Sequence, residues 1–233
     1  LRDNGYEMLE EDAASFIEDK KEAIIEFFKK LKEKVIKFFE TIVAKMQELQ
    51  AKFLLLFKKA KERGKAGFDK LSTEDKLVTG VSPENLADIA LRNLKGIEAN
   101  NGTDNQMKHV GKGQIKATTF EREIEILKNY GQHVKRVKQL RKATEKVIDG
   151  QRATALKDIS DTEKRKEIKS DYAKRANLAL EVSRDCVSLI MKRVNDAARI
   201  ITKSIRYTEK KDKKDEKKAT GESASFLGRL HMI

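Results

Sequence analysis

Between Gly5 and Gly64 the chain carries neither glycine nor proline, a run of 58 residues from Tyr6 to Arg63. With no breaker and a dense supply of Lys, Glu, Leu and Ala, that run has one regular solution, a single helix of about 87 Å at the standard rise. Apolar residues recur within it at Ile24, Phe27, Leu31, Val35, Phe38, Ile42, Met46, Leu49, Phe53, Phe57 and Ala60, in steps of three and four that close every eleven residues. An eleven-residue period keeps a stripe almost straight with a slight right-handed drift, whereas a strict heptad imposes a left-handed supercoil. A heptad frame coexists through Phe28, Val35, Ile42, Leu49 and Leu56. Ile25, Ile36, Phe39, Val43 and Leu54 widen the face beyond a narrow seam, so it asks for more than one partner helix.

The whole chain of 233 residues fits the same class: 38% are charged and 39% hydrophobic, with one Pro, 12 Gly and no Trp, which opposes a turn-rich β architecture. The expected fold is all-α, an elongated bundle of long amphipathic helices with a small irregular connector. Four segments follow: the N-terminal helix over 1–64, a connector over 65–119, a basic long-helix hairpin over 120–208, and a lysine-rich tail with an apolar end over 209–233. In the connector, Ser72 with Asp75 forms a capping pattern, and Ser82 before Pro83 opens a helix that Gly96 closes. Residues 97–118, with Asn100, Asn101, Gly102 and little periodicity, are expected as a long loop. Apolar spacing through Ile124, Leu127, Tyr130, Val134, Val137, Leu140 and Val147 marks a helix with a break at Asp149 and Gly150. A capping box from Ser160 to Glu163 starts a further helix to about Tyr207. Glu209 to Lys218 are all charged, six of them Lys, a run expected to be disordered or weakly helical by itself, and Phe226, Leu227, Leu230, Met232 and Ile233 follow as an apolar end.

Charge points to partners. The chain has 51 Lys and Arg against 38 Asp and Glu, a net +13, so nucleic acid or other acidic surfaces are favoured. Within the first helix Leu1 to Glu26 hold three basic and nine acidic residues, and Phe27 to Ala66 hold 12 basic and four acidic, complementing the helix dipole at both ends. Residues 120–208 hold 22 basic and 13 acidic side chains, with paired cations at Lys135 and Arg136, Arg141 and Lys142, Lys174 and Arg175, and Lys192 and Arg193. For polyanion contact the candidates are Lys164, Arg165, Lys166, Lys210, Lys211, Lys213 and Lys214, meeting nucleic acid nonspecifically and with strong salt dependence. With four Tyr, and most of the ten Phe in the apolar stripe, base stacking has little support. For self-association, or packing on other structural proteins, the candidates are Ile24, Phe28, Leu31, Val35, Phe38, Ile42, Leu49 and Phe53. The alternative is a lipid surface: the first helix resembles the lipid-surface helices of exchangeable apolipoproteins, which implies Phe27, Phe28, Phe38 and Phe39 at the headgroup boundary with Lys29, Lys30, Lys32, Lys34 and Lys37 on anionic lipid.

Catalytic and metal chemistry find no constellation. His109, His133 and His231 lie in different expected elements without zinc spacing, so no metal and no cofactor are expected. Gly111, Lys112 and Gly113 lack the remaining phosphate-loop pattern, and Asn101, Gly102 and Thr103 fit a glycosylation acceptor by coincidence. Cys186 falls on an apolar stripe, where a buried inert thiol is the default, and with one cysteine no internal disulfide forms. No transmembrane window or signal peptide is expected.

The Phe- and Lys-rich stretch from Ala23 to Phe39, AIIEFFKKLKEKVIKFF, together with a non-Met start and a lysine-rich tail ending apolar, resembles the internal head and other virion structural proteins of large tailed bacteriophages. The likeness covers residues 7–63 and 209–233. It implies a non-enzymatic assembly protein near packaged DNA, in the virion interior or host cytoplasm.

Overall fold

The computed structural model describes the backbone of residues 3–110, 115–159 and 168–230, and side chains within 21–110, 115–159 and 171–210. The chain is all-α: 86% is helical, in five α-helices with one two-stranded sheet among the described residues. The elements are α1 (Asp3–Asp69), β1 (Leu77–Thr79), α2 (Pro83–Glu98), β2 (Ile115–Ala117), α3 (Phe120–Lys128), α4 (Tyr130–Ile159) and α5 (Ile168–Leu230). They divide into two compact units, the first comprising residues 1–47, 83–110 and 132–190 and the second 48–82, 111–131 and 191–233.

The first unit is a bundle whose directions can be read from its side-chain contacts. Lys32 meets Asp149 at 2.8 Å and Glu40 meets Arg141 at 3.5 Å, so α1 and α4 run antiparallel. The Thr144 and Ser183 hydroxyls share a buried hydrogen bond of 2.6 Å, and Tyr172 donates to the Asp158 carboxylate, so α4 and α5 are antiparallel too. α2 lies parallel to α4 through Glu84 with His133, Asp88 with Arg136 and Glu98 with Lys146. As the sequence indicates, α2 opens at Pro83, but it does not stop at Gly96. The Asn100 N–H reaches the Ile97 carbonyl and the Asn101 N–H reaches the Gly96 carbonyl, while Asn100 itself sits at φ 60°. That double bond around a left-handed residue terminates the helix. The Asn100 side chain then accepts from Arg175 at 2.7 Å and from Gln151 at 3.3 Å. Asn93 bonds the Asp104 carbonyl and the Gln106 N–H, and Asn105 bonds Asp185, so residues 99–110 form a pinned segment with a 3-10 turn at Gln106–His109 where a plain loop is expected from sequence.

In the second unit α1 and α5 approach so closely that a Cβ on Gly67 would fall 1.8 Å from the Ser204 carbonyl oxygen, and one on Gly64 would meet the Phe120 ring at 2.8 Å. The helix therefore does not end at Gly64. It continues to Asp69, because these glycines provide close approach and break nothing. Phe68 packs on Phe120 and Phe53 on Tyr130, with ring centroids 5.7 and 4.7 Å apart. β1 and β2 pair antiparallel with Val78 opposite Lys116, a small sheet where short helices and a long loop are expected from sequence. Arg122 of α3 donates to the Gly80 carbonyl at 2.7 Å beside it.

Two further boundaries differ from the sequence reading. The break expected at Gly150 falls instead at Asn129, whose N–H bonds back to Glu125 and Leu127 while α4 passes straight through Gly150. An exposed glycine with nothing within 4 Å costs a helix about 1 kcal/mol, which thirty residues of packing absorb. The run from Glu209 to Lys218 belongs to α5, which extends to Leu230. The capping box at Ser160 to Glu163 lies outside the described residues.

The apolar face of α1 is also centred differently. Ile24, Phe28, Leu31 and Val35 are buried as expected, but burial then passes to Phe39, Met46, Phe53, Ala60 and Gly67, each seven residues on. One eleven-residue step from Phe28 to Phe39 shifts the frame, after which a heptad holds. Phe38, Ile42 and Leu49 fall beside this line and are half-buried.

Candidate polyanion interface

The distribution of charge between the units marks out a candidate surface. The first unit carries 27 basic and 24 acidic residues, a net +3, whereas the second carries 24 and 14, a net +10. In the first unit part of the surface cations are matched: besides the pairs that orient the helices, Lys108 meets Glu181, Lys30 meets Glu26, and Arg141 meets Glu145 at 2.7 Å, which raises its pKa. Exposed pairs of this kind contribute little stability, but they cancel field.

The second unit gathers a row of exposed cations on one face of α5. Along α5 the exposed positions are Lys192, Asn195, Arg199, Lys203, Arg206, Tyr207, Glu209 and Lys210. Five cations in steps of three, four and seven lie on one face and span about 27 Å of helix. Lys203 pairs with Asp75 at 2.7 Å, and its hydrogen bond holds the Asp75 carboxyl below its usual range. Arg199 lies 3.8 Å from Asp196. Among the described residues Lys192, Arg206 and Lys210 form no ion pair.

This face is held in place by a buried ion pair. Arg193 reaches Glu123 of α3 with both terminal nitrogens, at 2.7 and 2.5 Å, and the Thr118 hydroxyl donates to the same carboxylate. Both side chains are essentially removed from solvent, at 1% and 0% exposure. A bidentate guanidinium matches a carboxylate geometrically, so the pair fixes the rotation of α5 about its axis and thereby which residues face outward.

The same division of labour recurs in each described Lys and Arg pair. Lys135, Lys142, Lys174 and Lys192 are exposed, while Arg136, Arg141, Arg175 and Arg193 bond Asp88, Glu145, Asn100 and Glu123. Sequence reasoning treats each pair as one basic spot, whereas half of it is structural. Of the residues selected from sequence, Lys210 lies on the exposed face. Lys164, Arg165 and Lys166 lie outside the described residues, and Lys211, Lys213 and Lys214 lie on the backbone of α5 with their side chains outside them. Lys192, Arg199, Lys203 and Arg206 were missed as a set; their signal was the three-four spacing opposite the apolar stripe of Val194, Ala197, Ile201 and Ile205.

The chosen association residues are placed differently. Ile24, Phe28, Leu31, Val35 and Phe53 are buried within the chain itself, and Phe38, Ile42 and Leu49 are half-covered, Phe38 by the Arg184 guanidinium at 5.6 Å. Phe28 and Phe39 are likewise buried, which withdraws half of the proposed lipid-facing rings from the surface of this fold.

Other chemistry is structural. The Cys186 thiol points at the Leu86 carbonyl at 3.4 Å, and burial pushes its pKa up to about 12. His133 is buried 3.3 Å from Glu84. Among the described residues no group of three His, Cys, Asp or Glu is placed to hold a metal, and no helix is long and apolar enough to cross a membrane. A groove of about 400 Å³ in the first unit is lined by opposed charges, Lys174 and Arg175 with Asp171 and Glu181. No known protein family, curated protein or solved structure matches the chain.

Proposed function

We propose that the chain is a non-enzymatic structural protein whose second unit binds polyanions, with nucleic acid as its partner and the interior of a virion as a setting that suits it. One observation carries this reading: the outward face of α5 presents Lys192, Arg199, Lys203, Arg206 and Lys210 in a unit of net charge +10. Such a face neutralises phosphates, the part of nucleic-acid binding that is independent of sequence. The apolar stripe of α1 is spent on the chain's own bundles, so any assembly would use surfaces other than the buried residues named above.

Titration of a labelled duplex DNA across salt concentrations tests the proposal. Binding should weaken along a straight log-log line, with a slope of about −0.9 for each phosphate neutralised. Absence of binding at low salt, or affinity indifferent to salt, would overturn it.

A second reading has its own observation. Leu54 and Leu55 are exposed on α1, at 40% and 55%, between Lys52 and Lys58 with Lys59. An apolar pair framed by lysines suits the surface of anionic lipid. Flotation with anionic liposomes that is abolished by Leu54→Ser and Leu55→Ser would favour it, and no flotation would remove it.

A further inference from the structure

We infer that Tyr207 is a base-stacking platform within the basic face of α5, so that the polyanion this chain prefers is single-stranded nucleic acid; the inference rests on the polyanion reading above and narrows it.

Tyr207 is 52% exposed, and among the described residues no other aromatic side chain is exposed to that degree. Every described Phe is buried or half-buried, so an outward ring here departs from what the rest of the fold does with aromatics. Its neighbours are cationic: Arg206 precedes it, Lys203 lies four residues before and Lys210 three after, positions that share its side of a helix, with Glu209 the acidic residue of this turn.

The turn that carries the ring is fixed. The Thr208 hydroxyl donates to the Arg63 carbonyl at 2.8 Å, and the Ser204 carbonyl sits against Gly67. A rigid backbone with an outward ring is a pre-organised surface, and such surfaces lose little freedom when a ligand lands on them. Because every nucleobase has a π-face, stacking on a single tyrosine is indifferent to sequence. Bases in a duplex are already stacked on each other, so the ring adds affinity only for an unpaired strand. Flanking cations at one-turn spacing then meet the phosphates on either side of the stacked base.

The test compares three probes on the full chain: labelled oligo(dT), a duplex DNA of the same length, and heparin, a polyanion without bases. Tyr207→Ala should weaken oligo(dT) binding about tenfold and leave duplex and heparin binding unchanged. Tyr207→Phe, which keeps the ring, should bind all three like the parent chain. Equal losses on all three probes would mean that the ring supports the helix and stacks on nothing. No loss on oligo(dT), with duplex and heparin binding intact, would overturn the stacking role while sparing the polyanion reading. A parent chain that binds none of the three would overturn both.

Discussion

The two units solve the same problem, covering a long amphipathic helix, with opposite uses of charge. In the first, acidic residues of α2 and α1 lie against the basic side of α4, and the ladder of Glu84, Asp88 and Glu98 leaves little net field. In the second, one well-placed carboxylate is spent internally, since Glu123 is buried on Arg193, and on the outward face Arg199 and Lys203 meet Asp196 and Asp75 while Lys192, Arg206 and Lys210 form no ion pair among the described residues. Ion pairs on a surface and an ion pair in a core are therefore different devices: the one cancels potential, the other orients an element whose exposed side retains it.

Breaking each unit's own device gives the largest effects. Glu123→Ala leaves Arg193 buried without its partner and should cost about 3–5 kcal/mol, whereas Glu123→Leu combined with Arg193→Met should come close to the parent stability. Hydrogen exchange should quicken in α3 and residues 191–210 and remain slow in α2; uniform acceleration would show that the pair is not local to the second unit. Phe39→Ala should cost a similar 3–5 kcal/mol in the first unit, while Phe38→Ala, on a half-buried ring, should cost clearly less in denaturant unfolding. Equal costs would contradict the shifted frame of α1. A smaller effect, about 1 kcal/mol, is expected for Thr144→Val, which removes the buried hydroxyl pair with Ser183.

Alkaline pH separates the units more gently. The Cys186 thiol rises from its ordinary 9.0 to about 12, and the Tyr130 phenol from 10.0 to about 12, both through burial. The unfolded chain thus releases these protons first, so the stability is whole below about pH 9 and declines as pH rises toward 12. Cys186→Ala should remove the first-unit share of that decline in thermal melts at pH 8 and pH 10.5. An identical decline in the variant would show that the thiol is not protected.

Much of this architecture was legible in the sequence because its signals are local. Freedom from glycine and proline announces α1, Ser82 with Pro83 announces α2, and the stripe from Ala176 through Ile205 announces α5. The misplaced frame has a physical cause: adjacent rings at Phe27 and Phe28, and again at Phe38 and Phe39, support two stripes equally, and packing selects between them. Gly64 reads as a breaker because its role, close contact with Phe120, exists only across helices. Glu123 and Arg193 lie 70 residues apart and carry no signature at all. The candidate site was half legible for the same reason. Clusters of Lys and Arg show where charge is abundant, and only packing tells which member of each pair faces water.

On the proposed function, the α5 face of the second unit, and not the basic content of the chain at large, holds the polyanion. Matched charge reversals test it directly: Lys192, Arg199 and Arg206 to Glu in one variant, Lys135, Lys138 and Lys142 to Glu in another, each titrated against the same duplex DNA over a range of salt. The first set should lower affinity and flatten the log-log salt dependence by about 0.9 for each phosphate no longer neutralised, and the second set, with the same change in net charge, should leave the slope near that of the parent chain. Equal flattening by both sets would contradict it.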